Sequence, residues 1–249
     1  MAVHLGASFV LIFGTFVQKA IFLFIRLVFI LLQGIWWQLN GTSQRIKVIR
    51  DVTALKAQAL KVVTWCKPDL AMPHSLRDFI LCHDEILDAD YVIQHDNVSL
   101  YFYDTDRNIA VFGEGRPGQL LWHSDACSFY SHGFFYHATR LIVMDLQVFH
   151  QICSRLPDPD DNKLILLGNS GRCGSTLVLQ LFEQTERFVT FSEPRFFSDY
   201  GFLYKEKGLC PEVLQLGRHL MKMLCRPINA MPNPEGYLIK FEAMQYSCE

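Results

Sequence analysis

The chain has 249 residues, 50% of them hydrophobic, 13% aromatic and 19% charged, with a formal net charge of −2. That length suits one ordinary domain, or a smaller domain plus an attachment segment, and it can bury a core without staples. The absence of a basic surplus excludes a general nucleic-acid binder, and the apolar fraction excludes global disorder. Eight cysteines at 66, 82, 127, 153, 173, 210, 225 and 248, with no CxxC pair, exclude a disulfide-dense scaffold, a common zinc ribbon and a thioredoxin-type motif.

The hydrophobic excess sits at the front. Residues 5–39 are almost wholly apolar, interrupted by the charges of Lys19 and Arg26. Residues 20–39 are about long enough to cross hydrocarbon, and thirteen of them are Leu, Ile, Val or Phe. At about −0.3 to −0.6 kcal/mol each these contribute roughly −4 to −8 kcal/mol, against about 2.5 kcal/mol for Arg26. The window predicts a single-pass transmembrane helix in a lipid bilayer, with Trp36 and Trp37 in the interfacial belt. A helix over 5–39 would run roughly 50 Å, too long for one upright span. Either residues 3–17 form a second short membrane segment, or the helix lies partly in the interface. Thr15, Lys19, Arg26 and Gln33 fall near heptad spacing and share one face. That face suits snorkelling, a packing partner or an in-plane amphipathic helix. A cleaved signal peptide fits less well, because the stretch is long and lacks a small-residue cleavage site. Orientation is contested within the sequence. Arg45, Lys47, Arg50, Lys56, Lys61 and Lys67 follow the anchor against Asp51, which favours the cytosol for that flank. The sequons at Asn40 and Asn97 favour a lumenal body.

Residues 41–160 read as a mixed α+β region. The spacing of Leu55, Ala59, Leu60 and Val63 predicts a helix over 51–65, ending before Pro68. Ser75-x-x-Asp78 is a capping-box pattern. Residues 98–103 and 109–112 predict a β-hairpin around the loop 104–108, and 137–145 predict another strand. Gly113-Glu-Gly115-Arg-Pro-Gly118 satisfies GxGxxG, but Pro117 and the following Gln-Leu-Leu-Trp give no sign of the helix a dinucleotide site needs. His123, Cys127, His132 and His137 have ligand-like spacing but sit among aromatic residues, so packing is the expectation and no metal is expected. Pro157-Asp-Pro-Asp-Asp-Asn162 is the clearest boundary, polar and turn-prone.

The chemistry lies in residues 163–195. Lys163-Leu-Ile-Leu-Leu167 suits a buried parallel strand. It runs into Gly168-Asn-Ser-Gly-Arg-Cys-Gly-Ser-Thr176, after which Leu177, Val178, Leu181 and Phe182 recur at helical spacing. Strand, glycine-rich loop and helix N-terminus make an anion cradle of backbone N–H groups and partial positive charge. Ser175 and Thr176 add hydroxyls, and Arg172 adds the loop's cation. A Walker A loop would carry Lys before its hydroxyl, where this chain has Ser175, so ATP or GTP hydrolysis is the lesser use. Glu193 follows a short apolar strand, where a carboxylate can act as general base. It can equally close a turn with Pro194.

These elements resemble the P-loop sulfotransferases, and within them the membrane-anchored carbohydrate sulfotransferases of the Golgi. Arg172-Cys-Gly-Ser-Thr176 is similar to their donor loop, with Cys173 in place of the loop Ser. Leu181-Phe182-Glu183-Gln184 is similar to their Leu-Phe-x-Gln element. Phe188-Val-Thr-Phe-Ser-Glu193-Pro194 is similar to their Glu-Pro strand, with Glu193 following Arg172 by 21 residues. The likeness covers residues 163–200. It implies an α/β fold with a parallel sheet and flanking helices. It implies 3′-phosphoadenosine 5′-phosphosulfate as co-substrate, bound by Gly171, Arg172, Cys173, Gly174, Ser175 and Thr176. It implies transfer of a sulfuryl group to a hydroxyl, with a carbohydrate as acceptor and Glu193 and Arg172 in catalysis. It also implies an Arg and a Ser on later elements for the 3′-phosphate, yet no Arg follows Arg226. Residues 237–241 read as the next core strand and as an uncovered edge, so the fold reads as incomplete and a poor enzyme is the expectation; the rival reading is that Arg107 or Arg116 from the front region supplies the missing contact.

The expected organisation is a membrane anchor over 1–40, a mixed region over 41–160 and a sulfotransferase-like P-loop domain over 161–249. A P-loop kinase or NTPase using Arg172, and a non-catalytic membrane protein retaining the loop as scaffold, are the alternatives.

Overall fold

The computed structural model describes residues 2–39, 41, 54–66, 74–168 and 172–242, with side chains in the first helix from Gly14 onward. Asn40, Arg45, Lys47, Arg50, Asp51, Lys67 and Gly171 lie outside the described residues.

The architecture is mixed α/β, with two sheets. The first is antiparallel and contains β1 (Lys56–Trp65), β2 (Phe79–Asp88), β3 (Val98–Asp104), β4 (Ile109–Glu114) and β5 (Arg140–Asp145), in the order β2-β1-β5-β4-β3. The helix expected over 51–65 is instead β1. Its register runs Gln58↔Val143 and Lys61↔Arg140 on one side, and Lys56↔Asp88 to Trp65↔Phe79 on the other. Two flanking strands satisfy its backbone, and Ala57, Gln58, Ala59 and Leu60 are all buried. Burial of successive residues hides the two-residue alternation, and tertiary pairing overrides a weak local preference.

After the short helix α2 (Tyr91–Gln94), the expected hairpin is β3–β4, with Asp104 paired to Ile109 and the turn one residue tighter than expected. The strand expected over 137–145 begins only at Arg140, because His137 ends the helix α3 (Tyr130–His137). Ser75 and Asp78 do form a reciprocal capping box, though on a single 3-10 turn, Leu76–Asp78. The GxGxxG stretch is the end of β4 followed by a turn in which Gln119 N donates to Arg116 O.

The second sheet is parallel. It holds β6 (Leu164–Leu167), β7 (Phe188–Ser192) and β8 (Gly236–Lys240), in the order β6-β8-β7. Helix α5 (Ser175–Glu183) links β6 to β7. Helices α6 (Phe196–Lys207) and α7 (Pro211–Leu224) lead on to β8. Two expectations are corrected here. The strand at 237–241 is not an edge: β8 is the fully buried centre. β6 is an edge and is only partly covered, with Leu166 57% exposed.

One core runs across the polar boundary at 157–162. Helix α4 (Leu146–Arg155) packs on α7, where His150 Nδ1 lies 2.7 Å from His219 Nδ1. Trp122 meets Phe191 with ring centroids 5.2 Å apart. The buried Arg226 guanidinium donates to the carbonyls of Val98 and His95, tying the chain after α7 to β3.

The first helix, α1 (Ala2–Leu39), contains the only stretch among the described residues that is long and apolar enough to cross a membrane, Gly14–Leu39, with mean hydropathy 2.1. It packs along β2. Arg26 Nη2 pairs with Asp78 Oδ1 at 2.8 Å. Gln33 Oε1 accepts from Leu81 N at 3.2 Å, and Trp37 Nε1 donates to Leu81 O at 3.1 Å. β2 is an edge strand, and α1 takes up both outward backbone groups of Leu81.

Candidate functional site

The parallel sheet brings three strand ends together. Leu167, Lys240 and Ser192 stand in register across β6, β8 and β7. In such sheets, ligand groups gather at the carboxyl ends of the strands.

The described end of the loop after β6 turns through the left-handed region at two residues. Gly174 caps α5 with φ +82°, and Arg172 is also left-handed at φ +51°. Gly174 costs little there, whereas Arg172 holds a conformation that side-chain-bearing residues rarely adopt. Arg172 and Cys173 are exposed, Ser175 is buried and Thr176 is half-buried. The N-terminus of α5 therefore opens on the same end of the sheet as Lys240. The structure brings Arg172, Cys173, Gly174, Ser175 and Thr176 together on this turn.

Glu193 directly follows β7 and is left-handed, φ +57°. Its N–H donates to Lys240 O at 2.9 Å. Its Oε1 lies 2.6 Å from Lys240 Nζ. The same ammonium donates to Thr176 Oγ1 at 2.9 Å and sits 5.4 Å from the Phe129 ring centroid. Lys240 thus joins the helix N-terminus, the carboxylate and an aromatic face. Its side chain is 3% exposed, so its charge is compensated locally instead of by water.

Arg172 is therefore not the only cation at the loop. Sequence reasoning missed Lys240, although 237–241 reads as a strand. The signal was available: a lone charge ends an apolar run, just as Glu193 does. Phe129 carried no such signal. It reaches the site because residues 115–129 fold onto α5. There the Glu183 carboxylate accepts from Ser124 N at 3.1 Å and from Thr190 Oγ1 at 3.3 Å. His123 Nε2 lies 3.4 Å from the same oxygen.

Beneath the loop is a cavity of about 10 Å³, lined in part by Cys127, Ser128, Thr176, Gln180 and Ser192. Ser192 Oγ is buried without a hydrogen-bond partner among the described residues. Arg107 is held at 3.7 Å by Asp104 in the hairpin turn. Arg116 lines a separate groove with Lys61, Trp65 and Tyr136. Neither faces this cavity. The other histidine and cysteine candidates gather into no group of three or more metal-ligating residues among the described residues. His132 instead packs edge-on against Phe129, with centroids 5.3 Å apart. The Asn97 amide nitrogen donates to Gly115 O at 2.9 Å, so the atom that would carry a glycan is engaged within the fold.

The arrangement gathers a helix start, whose N–H groups suit an anion, a desolvated ammonium, and a carboxylate paired to that ammonium. No family model, curated protein or solved structure matches the chain.

Proposed function

We propose that the chain is a membrane-attached sulfotransferase of the P-loop type. In this reading it moves a sulfuryl group from 3′-phosphoadenosine 5′-phosphosulfate to a carbohydrate hydroxyl, at a membrane of the Golgi type. The observation that carries the reading is Lys240 Nζ, set between Thr176 Oγ1 and Glu193 Oε1 at the mouth of the loop.

The donor set fits the co-substrate. The 5′-phosphosulfate is anionic and suits the N–H groups at the start of α5, with the Arg172 guanidinium beside them. Lys240 offsets charge that develops on the bridging oxygen as the old S–O bond breaks. The acceptor oxygen forms the new S–O bond, and its proton passes to the Glu193 carboxylate. The leaving group is 3′-phosphoadenosine 5′-phosphate. As in phosphoryl transfer, positioning and charge stabilisation carry the rate.

The test is thermal protection followed by transfer. Donor at a hundred times its Kd should stabilise the fold by about 2.7 kcal/mol, and labelled sulfate should then appear on a carbohydrate acceptor. Protection by ATP-Mg without protection by the donor would assign the loop to a kinase or NTPase. Protection by neither would leave the loop as scaffold.

A further inference from the structure

We propose that α1 lies in the plane of the membrane surface instead of crossing it, with the five-stranded sheet seated on one stripe of the helix and the remaining faces in lipid. The inference is independent of the transfer chemistry.

The contacts to β2 fall at Arg26, Gln33 and Trp37, and the half-buried positions of α1 are Phe22, Arg26, Ile30, Gln33 and Trp37. The spacing of four, four, three and four is one helical stripe. From 22 to 37 it runs about 22 Å along the helix axis. Thr15 and Lys19 continue the same stripe by spacing, so both charged residues of the helix, Lys19 and Arg26, lie on the domain side.

An upright helix conflicts with these contacts in either placement. With residues 20–39 in hydrocarbon, the docked start of β2 would follow them, with the backbone of Leu81 and the carboxylate of Asp78 just before the strand, both of which are held directly by the helix. Strand edges and carboxylates do not enter hydrocarbon at acceptable cost. With only residues 2–21 in the bilayer, about 30 Å of helix would suffice to span it. The docked half would then stand in water with Phe24 68%, Leu31 58%, Leu32 56% and Leu39 76% exposed. That is an apolar patch of the kind soluble surfaces avoid. Laid flat, the helix gives every exposed apolar side chain to lipid and keeps Arg26 on Asp78, while Trp36 sits at headgroup level. The continuous helix Ala2–Leu39 also excludes a turn between two short spans.

The experiment uses the full chain in sealed membrane vesicles, with one epitope tag ahead of Met1 and another after Glu249. External protease should treat both tags alike, cutting both or sparing both. A Lys19→Cys variant should gain one adduct over the parent from a membrane-impermeant maleimide, with the vesicles opened on the domain side. Tags on opposite sides of the membrane would overturn the proposal. Tags on one side with position 19 shielded would also overturn it, by showing a buried hairpin.

Discussion

Lys240→Met isolates the central contact of the candidate site. Methionine keeps an unbranched apolar stem out to Cε and removes the ammonium. Glu193, its side chain 23% exposed, then loses a partner at 2.6 Å, and Thr176 loses a donor at 2.9 Å. Breaking a buried ion pair from one side costs about 3–5 kcal/mol, and partial hydration of Glu193 brings the expectation to about 2–4 kcal/mol. At about 2–4 °C per kcal/mol for a chain of this size, the melting midpoint should fall by roughly 5–15 °C. The double variant Lys240→Met/Glu193→Gln removes both charges and should recover at least half of that loss. Thermal melts of the four proteins in one detergent make the double-mutant cycle, and calorimetric titration with donor nucleotide adds the functional arm. Donor affinity should drop ten-fold or more in the single variant, equivalent to about 1.4 kcal/mol or more. A single variant that melts with the parent and binds donor equally well would refute the reasoning. A double variant no more stable than Lys240→Met would show that packing, and not charge, was lost.

Arg172→Ala should weaken donor binding by ten-fold or more with little change in melting, since a charge-assisted hydrogen bond contributes about 1.5–3 kcal/mol and the side chain is exposed; unchanged affinity by calorimetry would remove Arg172 from the cradle. Glu193→Gln should sharply lower sulfuryl transfer while donor affinity changes far less, and equal turnover would reduce Glu193 to a turn residue. Burial lowers both His150 and His219, the latter from 6.5 to about 4. Their folded values lie below the unfolded ones, so the unfolded chain takes up protons first. Their contribution is full above about pH 6.5 and is lost progressively as pH falls towards 4. Urea midpoints at pH 7.5 and 5 should therefore separate in the parent and converge in His219→Phe, and equal separation in both would assign the acid sensitivity elsewhere.

The strand, glycine turn and helix around Arg172 were legible because their signals are local. Glycines, an apolar run ahead and a helical period behind specify strand, turn and helix without reference to distant residues. The hairpin at 98–114 and the capping box at Ser75 were legible for the same reason. β1 was not, because its neighbours in the sheet are β2 and β5, and β5 lies some eighty residues further along the chain. With both sides of its backbone paired and successive residues buried, the alternation that marks a strand disappears. The sequence also carried the polar stripe of α1, but gave no hint that β2 would accept it.

Alone, the amino-acid order determined the apolar helix, the glycine loop with Arg172, Ser175 and Thr176, and Glu193 at a strand end. Tertiary structure decided that β8 enters between β6 and β7. That insertion set Lys240 2.9 Å from Thr176 and 2.6 Å from Glu193. It also decided that residues 115–129 fold back to lay Phe129 on the ammonium, and that α1 seals the edge of β2. The physical reason is common to all of these. Helix periods, caps and glycine turns act within a few residues. Strand order and side-chain pairing between residues 47 to 64 positions apart depend on which surfaces meet when the two sheets share one core.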